Sequence, residues 1–133
     1  MRQKVERLAR IERLQKRMHE MARWRLAVVA LEREKLTSDH AEMIEALSQG
    51  LMAYGAPAAA GTRRVRGIER ELARAHVVEK DMEKRTLEAG RLAKLADRCL
   101  DTARDALRNE VDRRSLEELI EATLRPDTGS HKR

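Results

Sequence analysis

The chain has 133 residues with one tryptophan, one tyrosine and no phenylalanine, and 39% of its residues are Asp, Glu, Lys or Arg. So few bulky groups exclude a thick core and leave a thin seam between helices as the way to bury apolar surface. The net charge of +6 comes from 29 basic residues set among 23 acidic ones, so most of the charge reads as solvated helix surface, although it permits contact with nucleic acid or an acidic membrane.

From about Lys4 to Tyr54, apolar residues recur at spacings of three and four: Leu8, Ile11, Leu14, Met18, Met21, Val28, Leu31, then Leu36, Ile44, Leu47 and Leu51. This predicts one long amphipathic helix whose stripe meets a single partner. Arg25 interrupts the stripe beside Trp24. Thr37, Ser38 and Asp39 form a weaker spot, where Asp39 could cap a restarting helix with Glu42 three residues on, but with no Gly or Pro there the expectation is a kink or no break. Inside this region Leu26 to Leu31 is the longest strongly apolar run, far below the roughly 20 residues of a membrane span. The N-terminus alternates charge and leucine and has no hydrophobic leader block.

Tyr54 to Arg63 reads Tyr-Gly-Ala-Pro-Ala-Ala-Ala-Gly-Thr-Arg. Gly55 and Gly61 supply backbone freedom and Pro57 lacks an amide proton, so a turn is expected over about 55–63. A second helix over about 64–125 follows, with a stripe through Val65, Ile68, Leu72, Ala75, Val78, Met82, Ala89, Leu92, Ala96, Leu100, Ala103 and Leu107. Its alanines allow close approach of two helix axes but bury little area. Ser115 and Glu118 have the form of a capping box, after which Leu116, Leu119, Ile120 and Leu124 resume a stripe that Pro126 stops. Residues 126–133 are expected to be a frayed tail.

Charge favours an antiparallel hairpin over a continuous helix. Residues 1–35 carry eleven basic and five acidic groups, and residues 99–125 carry five and seven. Residues 36–62 carry no Lys or Arg and three acids, whereas residues 63–98 carry eleven basic and seven acidic groups. Folding back sets opposite signs side by side. The expected fold is therefore all-α, two long helices forming an antiparallel coiled-coil hairpin over residues 1–133 as a single unit.

No catalytic motif is present. Gly50, Gly55, Gly61 and Gly67 match neither a P-loop nor a dinucleotide fingerprint, and His19, His40, His76 and Cys99 lack metal-ligand spacing. Neither an enzyme nor a cofactor or metal site is expected. The single Cys99 cannot form an internal disulfide, which favours a reducing cytosol and reads as packing. Arg63, Arg64, Arg66, Arg70 and Arg74 make one basic stripe and Arg2, Lys4, Arg7 and Arg10 another, but interrupting acids and the scarcity of aromatic residues disfavour nucleic acid. Leu47, Leu51, Met52 and Tyr54 would form either an apolar tip available for docking or a closed turn in which Tyr54 covers Ile68.

The layout resembles the FliJ and YscO families, helical hairpins of flagellar and virulence type III secretion systems. It is carried by the basic, leucine-rich opening Val5-Glu6-Arg7-Leu8-Ala9-Arg10, a central turn, and the closing Asp112-Arg113-Arg114-Ser115-Leu116-Glu117-Glu118-Leu119. The resemblance implies a cytoplasmic stalk at a membrane-embedded export apparatus, its paired chain ends entering a hexameric export ATPase and its other surfaces meeting the export gate or secretion chaperones. Carried over, the ring contacts fall on Arg7, Arg10, Arg13 and Arg17 and on Arg113, Arg114, Glu117, Glu118 and Glu121. The gate-side contacts fall on Leu51, Met52 and Tyr54. A basic nucleic-acid-binding coiled coil and a general structural adaptor are the rival expectations, and self-association stays open.

Overall fold

The computed structural model describes residues 1–50 and 56–125, with side chains from residue 59 onward in the second stretch. Among the described residues there are two helices and no strand: α1 spans Arg2–Ser48 and α2 spans Ala56–Leu124. They divide into two compact units, one of Met1–Leu14 with Lys94–Arg133 and one of Gln15–Ala93, each built from a stretch of both helices.

Within Gln15–Ala93 the helices run antiparallel. His40 Nε2 lies 3.2 Å from Glu69 Oε1, Arg33 Nε pairs with Glu79 Oε2, and Thr86 Oγ1 lies 3.3 Å from the Ala22 carbonyl oxygen. Going back 18 residues on α1, from His40 to Ala22, goes forward 17 on α2, from Glu69 to Thr86. That reciprocal step defines the antiparallel coiled-coil hairpin.

The elements end where backbone chemistry permits. Gly50 has φ 73° and its amide donates to the Leu47 carbonyl at 3.2 Å, a left-handed C-terminal cap that stops α1 at Ser48, short of the expected Tyr54. The helix α2 starts at Ala56, inside the segment expected to be turn. Pro57 is tolerated there because the first amides of a helix have no intrahelical acceptor. Gly61 is buried inside α2 and opens the α2 side of the interface. At Thr37 to Asp39, where a kink or no break was expected, α1 is unbroken, and the capping-box pattern at Ser115 starts no new helix. The Thr37 hydroxyl donates to the Arg33 carbonyl at 2.8 Å.

The covered face of α1 keeps Leu8, Leu36 and Leu47 of the expected stripe and elsewhere departs from it. The covered seam positions include Val5, Leu8 and Glu12 in one unit, and Gln15, His19, Ala22, Leu26, Val29, Arg33, Leu36, His40, Met43 and Leu47 in the other. They follow the strict three-four alternation of a heptad seam. Ile11, Leu14, Met18, Met21 and Val28 each stand one position before a seam residue, which turns them about 100° away. All but the half-buried Val28 are exposed, as are Leu31 and Ile44. On α2 the seam takes Glu79, Thr86 and Ala93 in place of Val78 and Leu92, which are also exposed.

Small α2 residues make room for the polar α1 seam. A Cβ built on Gly90 would lie 3.0 Å from His19 Nε2, so the imidazole occupies the space a side chain would need. The Thr86 hydroxyl donates to the Met82 carbonyl at 2.7 Å and still reaches the Ala22 carbonyl, a proximity that Ala89, Gly90 and Ala93 permit. Apolar burial is slight: Val65, Ala96 and Leu100 are the buried hydrophobic residues among those described.

Register also differs from the charge-based expectation. Met1 and Gln3 lie beside Leu107 and Glu110, so α2 continues past the start of α1 from Val111 to Leu124. The α2 residues from Glu79 to Glu110 hold eight basic and eight acidic groups, so the basic excess of α1 is not matched by an acidic α2 face. The expected pairing of residues 1–35 with residues 99–125 holds only at its start, where Lys4 and Leu8 lie beside Cys99 and Thr102, whereas Arg33 meets Glu79.

Candidate interaction surfaces

Arg7, Arg10, Arg13 and Arg17 are all exposed on α1. In the unit of Met1–Leu14, Arg7, Arg10 and Arg13 stand at spacings of three beside exposed Ile11 and Leu14. In the unit of Gln15–Ala93, Arg17 stands beside Met18 and Met21, with exposed Trp24 and Leu31 further along. Both stretches are apolar ridges bordered by guanidinium groups. Such a ridge suits a partner helix with an apolar stripe and acidic flanks.

The helix end from Val111 to Leu124 is exposed at every position. Leu116, Leu119, Ile120 and Leu124 are 56%, 64%, 47% and 75% exposed. Arg113 and Glu117 pair along the helix at 3.8 Å, and Arg114 reaches Glu110 at 2.9 Å. These i,i+4 pairs support the isolated helix by only a few tenths of a kcal/mol each. Glu118 and Glu121 are exposed as well. The structure thus places Arg113, Arg114, Glu117, Glu118 and Glu121 on one uncovered segment, and the four α1 arginines on other exposed surface. Leu51, Met52 and Tyr54 lie outside the described residues.

Among the described residues, no group of three His, Cys, Asp or Glu side chains is placed to hold a metal ion. No helix there is long and apolar enough to cross a membrane. Cys99 is exposed beside Lys4 and Leu8, not packed in the seam as its small size suggested. A groove lined by Asp39, Glu42, Met43, Ala46, Arg64 and Ile68 runs between the helices.

The missed features are the exposed apolar ridge of α1 and the uncovered α2 end. The first was hidden because an apolar stripe was equated with the buried one. The second could have been found from helix lengths, since α1 has 47 residues and α2 has 69. Fold and surfaces together define an all-α hairpin with uncovered apolar faces. Comparison with protein-family models, curated proteins and solved structures finds no match.

Proposed function

We propose that this chain is a non-enzymatic, cytoplasmic coiled-coil component of a type III or flagellar protein-export apparatus, a stalk that inserts into a hexameric export ATPase and stimulates it. The observation that carries this reading is the helical stretch of α2 from Val111 to Leu124, where Leu116, Leu119, Ile120 and Leu124 have no helix against them among the described residues. Apolar side chains left in water forgo about 1.5–3 kcal/mol each relative to full burial, so the segment gains by entering a ring or groove. The arginine-bordered ridges of α1 give a second surface, suited to an acidic helix of the export gate or of a secretion chaperone.

Copurification with a hexameric export ATPase, read out as stimulated ATP hydrolysis, tests the reading. Substituting Leu116, Leu119 and Ile120 together with serine is expected to abolish stimulation while leaving the hairpin folded by circular dichroism. Unchanged stimulation in that variant would remove the stalk role.

A further inference from the structure

We propose that Arg63, Arg66, Arg70 and Arg74 on α2 form a docking site for a flat anionic surface, the phosphate-bearing headgroups of an acidic membrane. At 100° per residue the four fall within an arc of about 80°, one straight row along a single face. All four are exposed. The row is open, because Gly67 beside it would meet nothing within 4 Å if it carried a Cβ.

The row is also uncompensated. Arg66, Arg70 and Arg74 stand four apart, so like charges are stacked turn upon turn at a cost to the helix. Among the described residues none of the four is in an ion pair. Further along α2 several arginines do have acidic partners: Arg85, Arg91 and Arg108 pair with Asp81, Glu88 and Asp105 at 3.1, 3.7 and 3.7 Å. The row is all arginine, whose planar guanidinium matches phosphate oxygens with two parallel hydrogen bonds.

The surroundings select a flat partner over a wrapped one. Glu69 and Glu71 lie about 100° to either side of the row, and Asp39 and Glu42 of α1 line the neighbouring groove with Arg64. A nucleic-acid strand that embraced the helix would bring its phosphates against these carboxylates. A plane touches only the crest. The helix α2 also contains no aromatic residue on which bases could stack.

The test is cosedimentation of the full chain with phosphatidylcholine vesicles carrying about one-third phosphatidylserine, compared with phosphatidylcholine alone. Binding is expected only to the acidic vesicles and is expected to fall steeply as salt rises. Changing all four arginines to glutamine should weaken partitioning at least about a hundredfold, at roughly fivefold per arginine. The single variant Arg70→Glu reports on the same site with less disturbance, and Arg91→Gln with Arg108→Gln serves as the control that retains binding. Equal binding to neutral vesicles, or undiminished binding by the row variants, overturns the proposal. So does a gel shift of duplex DNA or RNA without vesicle binding. None of these outcomes depends on ATPase stimulation.

Discussion

Gly67 and Gly90 belong to the same helix and have opposite surroundings. At Gly67 a methyl group enters open space, so Gly67→Ala removes backbone freedom from the unfolded chain and is expected to raise stability by about 0.5–1 kcal/mol in urea denaturation. At Gly90 the same change presses on His19 Nε2 at 3.0 Å, and the imidazole must give way. A smaller gain, or a loss, is expected there. Equal gains at both sites would contradict the placement of His19 over Gly90. Gln15 offers a third substitution. Its Oε1 is buried with no hydrogen-bond partner, and an unpaired buried carbonyl costs about 1–3 kcal/mol. Gln15→Leu removes that group at similar volume, so the urea midpoint should rise by the equivalent of about 1 kcal/mol or more.

At the scale of the helices, the uncovered end of α2 contributes little to holding the hairpin. Ending the chain after Arg114 should shift the melting temperature by less than about 2 °C, because residues 115–124 bury no surface against α1. Amide exchange of the intact chain should be fastest in the same stretch of α2. The two-helix fold was legible in the sequence because the Gly and Pro cluster near residue 55 separates two long stretches of three-four periodicity. The covered face of α1 was less legible. Ile11, Leu14, Met18 and Met21 signal a stripe more loudly than Glu12, Gln15, His19 and Ala22, yet the quieter set faces α2. What decides is the opposite surface, where Ala89, Gly90 and Ala93 leave space for polar side chains, a property visible only once the register is known. The cap at Gly50 was obscured by the stronger breakers that follow it. Of the site residues expected from the resemblance, the charged ones are exposed, and exposure alone does not distinguish a contact from a solvated face.

For the molecule as a whole, orientation and register rest on a few specific pairs, with no acidic stretch of α2 set against the basic opening of α1. Arg33 and Glu79 meet in the seam with side chains 26% and 15% exposed, between the regimes of a surface and a buried ion pair. A double-mutant cycle with Arg33→Ala and Glu79→Ala is expected to give a coupling of about 1–2 kcal/mol, and additive losses would show that the pair sets nothing. Leucine at both positions should preserve or raise stability while loosening the alignment of the two helices, readable as a wider distribution of distances between spin labels placed at residues 40 and 69.

The scarcity of buried apolar side chains, with Val65, Ala96 and Leu100 the buried ones among the described residues, also bears on how the hairpin responds to temperature. Melting it hydrates little hydrocarbon, so the heat-capacity increment should fall below the usual 12–15 cal/mol/K per residue, roughly. Its free energy of unfolding then traces a shallow arc between cold and warm. In a calorimeter the chain should give a low, broad endotherm that sharpens when a ligand occupies its apolar ridges.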